Sequence, residues 1–199
     1  ELTPEIRNLI NNIDSAYNVN SIGRSNFLKE CLKYSVKVGS RVYGDPLLHT
    51  RLAENLWNLG QHQQSIKHFA LGETPELYWQ HIQQSFQNQQ QDNQINQFVT
   101  IGILYFLSYE NLRDANTLLE FYHKNYNSDD KLIEFCDRLM LTSERDAAPL
   151  FKTLVSFYKP YLQFDPITLS LLQGPIAKNI FHIETPPSMF SMIQNLLSA

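Results

Sequence analysis

The sequence predicts an all-α fold, an α-solenoid of about eleven helices paired as antiparallel hairpins in one unit over residues 1–199. Three observations predict it. Apolar residues recur at spacings of three and four along most of the chain. Prolines stand where helices begin, in Thr3-Pro4, Asp45-Pro46, Thr74-Pro75, Asp165-Pro166 and Thr185-Pro186-Pro187. No stretch makes a convincing strand.

The first helix runs from Pro4 to about Tyr17, with Thr3 as its cap and Ile6, Leu9, Ile10, Ile13 and Tyr17 on one face. A second, Ile22 to Val38, carries Phe27, Leu28, Cys31, Leu32, Ser35, Val36 and Val38 and can end at Gly39. The third starts at Tyr43-Gly44-Asp45-Pro46-Leu47-Leu48-His49. Asp45 is placed to accept an amide of the first turn, Pro46 needs no amide partner, and Leu48, Leu52, Leu56 and Leu59 follow on one side with Ala53 and Trp57.

After a turn at Gly60 a short helix from Gln63 to Leu71 completes a hairpin, the building unit of helical solenoids. The fifth helix, from Thr74-Pro75, carries Leu77, Tyr78, Ile82 and Phe86 and runs into a Gln/Asn-rich tract at 87–97, a solvated linker or polar helix end by composition. Asp92 to Tyr109 is apolar nearly all round in its second half and is expected to be the central buried helix. Further helices are expected at Leu112 to Tyr126, Asp130 to Leu141, Ala147 to Tyr161, Pro166 to Phe181 and Pro187 to Leu197. No strict 34-residue repeat is visible, so the solenoid is tetratricopeptide-like at most.

Composition narrows the function. With 43% hydrophobic residues and a formal charge of -4, the chain can bury a core, and it shows no basic stripe to recruit nucleic acid. The longest apolar run, Phe98 to Tyr109, falls short of the roughly 20 residues a membrane span needs. Cys31 and Cys136 read as small buried residues of a reducing compartment. No leader pattern opens the chain, so a cytoplasmic location is expected, without direct membrane insertion. The start at Glu1, almost inside a helix, reads as part of something longer.

Catalytic and metal patterns are weaker than structural ones. Asp45 and His49 stand four apart, yet Asp45 is better explained as a cap. His62, His68 and His81 match no metal-ligand spacing. No phosphate loop, nucleophile elbow or paired carboxylate set stands out, so no enzyme, metal or cofactor is expected.

The excess of aromatics is the remaining signal, with twelve Phe, ten Tyr and two Trp. Most are expected in the core, and some to line a groove for a partner's helix or strand. Candidates for partner contact are Phe121, Tyr122, Tyr126, Leu132, Phe135, Phe181, Phe190 and Ile193. The last two sit in a terminal segment, 189–197, with apolar residues at i, i+3, i+4 and i+7, suited to dock on its own chain or on another. Residues 101–150 hold five basic and nine acidic side chains, which favours a basic stretch on the partner.

Two stretches resemble a known family. Gly44-Asp45-Pro46-Leu47-Leu48-His49, a leucine-rich helix and then Ser65-Ile66-Lys67-His68-Phe69-Ala70-Leu71-Gly72 are similar to the Golgi-to-ER-traffic protein four family, the helical scaffold of the tail-anchored protein insertion pathway. Leu150-Phe151-Lys152-Thr153-Leu154, Phe157-Tyr158-Lys159-Pro160-Tyr161-Leu162 and Asp165-Pro166 resemble its closing pattern. The likeness spans about 42–181, with family members longer at the N-terminus.

The resemblance implies the C-terminal half of a non-enzymatic adaptor. That half would hold the N-terminal segment of a ubiquitin-like-domain partner, while the targeting ATPase would be met mainly by the missing N-terminal half. The whole complex would bridge a co-chaperone carrying tail-anchored protein to that ATPase. Some members carry a partner-gripping β-hairpin before the helix matching Asp130 to Leu141. The connection His123 to Asp129 is too short for a long one. The rival reading is a generic tetratricopeptide-like peptide-binding scaffold, against which the missing Lys/Arg cluster argues.

Overall fold

The computed structural model describes residues 2–86, 92–126 and 129–184. Among the described residues there is no strand. The helices are α1 (Pro4–Ala16), α2 (Ile22–Val38), α3 (Pro46–Asn58), α4 (His62–Leu71), α5 (Pro75–Phe86), α6 (Asp92–Ser108), α7 (Leu112–Asn125), α8 (Lys131–Glu144) and α9 (Ala148–Leu162). The short α10 (Pro166–Leu171) passes through a π-helical turn, Leu172–Ile176, into α11 (Ala177–Asn179).

The starts have visible causes. Side-chain oxygens of Thr3, Ser21, Asp45, Asn111, Asp130 and Asp165 accept first-turn amides of α1, α2, α3, α7, α8 and α10. Each satisfies one amide that the helix itself leaves without a partner. Pro4, Pro46 and Pro166 add a preset backbone angle at the first helical position.

Successive helices pack as hairpins, α3 on α4, α6 on α7 and α8 on α9. Helix α6 is the hub, in contact with α4, α5, α7, α8, α10 and the π-helical turn. Its Val99, Ile103, Leu104 and Leu107 are wholly buried, as its near-uniform apolarity predicts. The Gln/Asn tract supplies its first turns, where Asn96 is buried and accepts the Tyr122 hydroxyl at 2.7 Å.

Helix α3 divides the core in two. Leu48, Leu52 and Leu56 close a small cluster with Ile10, Leu28 and Leu32 of α1 and α2, while Ala53 and Trp57 belong to the main core that runs to Phe181. Polar groups tie the small cluster down. Arg24 on α2 grips Asp14 on α1 with both carboxylate oxygens engaged, at 2.7 and 2.9 Å, and Arg51 on α3 reaches the same group at 3.4 Å. Asn55 on α3 donates to the Ser21 carbonyl and the Ser25 hydroxyl.

Three expectations change. The apolar face of α1 is only partly buried: Ile10 faces α2, but Leu9 is 58% exposed and Ile13 and Tyr17 are also on the surface. Among the described residues α2 is the only element that α1 packs against closely, so one side of its stripe is left uncovered by them. The segment expected as one helix from Pro166 to Phe181 is interrupted at Pro175. A proline ring has no N–H to give and crowds the carbonyl four residues back, so the chain widens into a π turn. Helix α8 runs past Leu141 to Glu144, with Thr142 and Ser143 hydroxyls bonded to carbonyls four residues back. The helix expected at Pro187 to Leu197 lies outside the described residues.

Candidate partner-binding surface

The structure resolves most of the candidate contact residues into core and surface. Tyr122, Leu132, Phe135 and Phe181 are buried in the chain's own interior. Tyr122 holds α7 to α6 through Asn96, Phe135 lies against Tyr158 with ring centres 5.5 Å apart, and Phe181 stacks on Phe151 at 4.1 Å. These side chains shape the surface from beneath. Phe121 and Tyr126 are half-buried at the C-terminal end of α7; Lys124 stands over the Phe121 ring at 5.6 Å, and Tyr126 stacks on Tyr122. Phe190 and Ile193 lie outside the described residues.

The structure adds surface groups that the sequence did not single out. On α9, Phe151, Leu154, Tyr158 and Leu162 point inward, which leaves Leu150, Phe157 and Tyr161 exposed on the flank about a quarter turn away. Phe157 is 68% exposed, the most open aromatic ring among the described residues. The signal was present in the spacing. Positions 150, 157 and 161 lie seven and four apart and out of phase with the inward set, so they share a face of their own.

Electrostatics of α7 and α8 are more local than a net count implies. Glu134 is held by Lys131 at 2.7 Å and Arg138 at 2.6 Å, and hydrogen bonds from these two side chains pull its carboxyl down to about 2. Asp137 meets His123 at 2.7 Å, and Asp114 accepts from Arg113 and Asn111. Much of the acidic excess is therefore engaged within the chain. Helix α7 ends at Asn125 and α8 begins at Lys131, leaving five residues between them, too few for a long hairpin insertion.

The opening motif keeps its architectural reading. Asp45 accepts from the Leu47 amide at 2.9 Å and pairs with Arg7 at 2.8 Å. His49 turns away from it: Nε2 lies 2.8 Å from the Tyr43 carbonyl and Nδ1 lies 2.7 Å from Nδ1 of His68. A carbonyl only accepts, so His49 carries its proton on Nε2, and His68 must donate from Nδ1. The pair clasps α3 to α4 and pins the loop before α3. Among the described residues no three His, Cys, Asp or Glu side chains are grouped to hold a metal ion. No helix among them is long and apolar enough to cross a membrane.

Burial lowers the pKa of both rings, His68 to about 3, with the neighbouring His49 adding to the effect. A folded-state pKa below the unfolded value of about 6.5 means that the native state resists protonation. The stability this contributes is complete above pH 6.5 and declines as pH falls toward 3. The urea midpoint is expected to fall between pH 6.5 and 4.5, before most carboxylates titrate. In His68→Gln, which keeps an N–H donor but cannot titrate, the decline should be clearly shallower; an unchanged slope would contradict the assignment.

An all-helical stack of hairpins, without a strand among the described residues, defines the class, a helical solenoid. The Golgi to ER traffic protein 4 family matches residues 1–199, and the chain belongs to that family. It is 28% identical over 181 residues to a Golgi to ER traffic protein 4 homolog of Dictyostelium discoideum, covering 88% of this chain and 58% of that protein. It is 27% identical over 169 residues to Protein GET4 of Arabidopsis thaliana, covering 80% and 52%. The chain thus spans a little over half the length of these relatives. The crystal structure of C. therm. Get4 superposes with a TM-score of 0.76 at 21% identity, covering the whole of this chain and 71% of that one, which shows a shared fold.

Proposed function

We propose that the chain is an adaptor in the post-translational targeting of tail-anchored membrane proteins to the ER. Its C-terminal helices would hold the N-terminal segment of the pathway's ubiquitin-like-domain protein. Family membership over residues 1–199 carries this reading. The surface supports it. Binding energy concentrates in a few aromatic and aliphatic anchors set in a firm surround. Phe121 on α7 and Tyr126 at its end, with Phe157 and Tyr161 on α9, are such groups backed by a packed core. Phe190 and Ile193 are assigned to the same contact, and the buried Tyr122, Leu132, Phe135 and Phe181 to its support. On this reading the chain is not an enzyme and works in the cytoplasm. Little of the targeting ATPase contact would lie in it.

Isothermal titration of the chain with the partner's N-terminal segment, run beside the ATPase, tests the proposal. Binding of the segment with at least tenfold weaker binding of the ATPase is the expected result. Phe157→Asp with Tyr161→Asp should weaken the segment at least tenfold while the helical circular dichroism is retained. No heat of binding from the segment would sink the reading.

A further inference from the structure

A groove of about 360 Å3 lies between α9, the π-helical turn, α11 and the segment after it. Phe151, Leu172 and Ala177 form its buried floor, and Val155 and Ile183 its half-buried walls. Lys152 and Lys159 stand on one rim, and Glu184 completes the lining. The chain itself turns back to this place. The Ile183 amide donates to the Ala177 carbonyl at 2.9 Å, reversing direction after α11, and Phe181 stacks on Phe151 beneath. Glu184, the last described residue, is therefore part of the groove.

The residues beyond Glu184 match the groove's chemistry. From Thr185 to Ala199 there is no charged residue, and Met189, Met192, Ile193 and Leu196 repeat at i, i+3, i+4 and i+7, with Phe190 and Leu197 beside them. The Thr185-Pro186-Pro187 link is short, and proline favours an extended backbone of roughly 3 Å per residue. A ligand tethered so closely competes at an effective concentration in the millimolar range, which a free partner must exceed.

From these observations we infer that residues 188–197 of the same chain occupy this groove, with Phe190 and Ile193 against Val155, Ala177 and Ile183. The groove is then a docking site in cis. It requires no partner, and its failure would leave Phe121, Tyr126, Phe157 and Tyr161 of the adaptor reading untouched. A partner that uses Phe190 and Ile193 must first displace them.

A double-mutant cycle on the full chain tests the inference. Phe190→Asp with Ile193→Asp should lower the thermal midpoint by several degrees; in a Val155→Asp background the same pair should lower it by less than a third as much. Additive losses overturn the proposal. Sedimentation velocity at two concentrations accompanies the cycle. Coupling seen only where the chain dimerises overturns it too, in favour of a second copy in the groove. Should Val155→Asp fail to fold, the methyl resonances of Val155, Ala177 and Ile183 decide. Shifts on introducing Phe190→Asp with Ile193→Asp support docking; unchanged resonances refute it.

Discussion

Asp14→Ala is expected to destabilise the chain by about 3 kcal/mol, in the range found when one partner of a buried ion pair is removed. Asp14 is 5% exposed, and its carboxylate receives both arms of the Arg24 fork as well as Arg51. Without it the two guanidinium groups at the junction of α1, α2 and α3 lose the carboxylate that both of them bond, and only the nearby Glu54 is left to offset their charge. Arg24, held above its usual pKa by that carboxylate, cannot shed its charge. The loss should be local. Only the small cluster of Ile10, Leu28, Leu32, Leu48, Leu52 and Leu56 depends on this junction, so amide exchange should rise first in α1 and α2. Arg51→Met, which removes only the 3.4 Å contact, should cost under about 1 kcal/mol. Removing both members as Asp14→Leu with Arg24→Met should restore much of the loss. Urea midpoints at pH 7 measure all three; an Asp14→Ala midpoint equal to the parent's would show that the pair holds nothing together.

Gly102→Ala is the second large expected effect, a net loss of about 2 kcal/mol against the gain that alanine ordinarily brings to a helix interior. A Cβ on Gly102 would fall inside the ring edge of Tyr78 and 2.9 Å from Cδ2 of Leu118, so α6 can approach α5 and α7 only because the side chain is missing. Tyr78 cannot step aside. Its ring is fully buried and its hydroxyl donates to the Phe98 carbonyl at 2.8 Å. Gly174→Ala is the control, since nothing lies within 4 Å of its Cβ position, and its midpoint should stay within about 0.5 kcal/mol of the parent. Gly102→Leu should reduce soluble yield sharply. If Gly102→Ala instead raises the midpoint, the close approach of α6 is not a constraint.

Much of this protein was determined locally and could be read from the sequence. Helix positions followed from caps, prolines and periodicity, because these act within a turn or two of the residue that carries them. Asp45 is the clearest case: its side chain accepts from Leu47 two residues on, and the Asp-Pro pair announced it. The central helix was legible for the same kind of reason, since Val99 to Leu107 is apolar on every side and so needs neighbours all round. The family, too, was visible in two short ordered stretches.

What the sequence did not determine is everything that depends on residues far apart in the chain. Asp14 with Arg24 and Arg51, His49 with His68, and Gly102 under Tyr78 are separated by 10, 37, 19 and 24 positions, and no local spacing announces such meetings. The candidate surface shows the same division. Tyr122, Leu132, Phe135 and Phe181 are as apolar in sequence as Phe121, Phe157 and Tyr161, and only packing decided that the first four face the core. Amphipathicity fixes which side of a helix is apolar, but it is the neighbouring helix that determines how much of that side water still reaches. Leu9 and Ile13 on α1, and Tyr17 just after it, remain exposed for that reason, and Pro175 opened a π turn because its effect depended on the carbonyl one turn back.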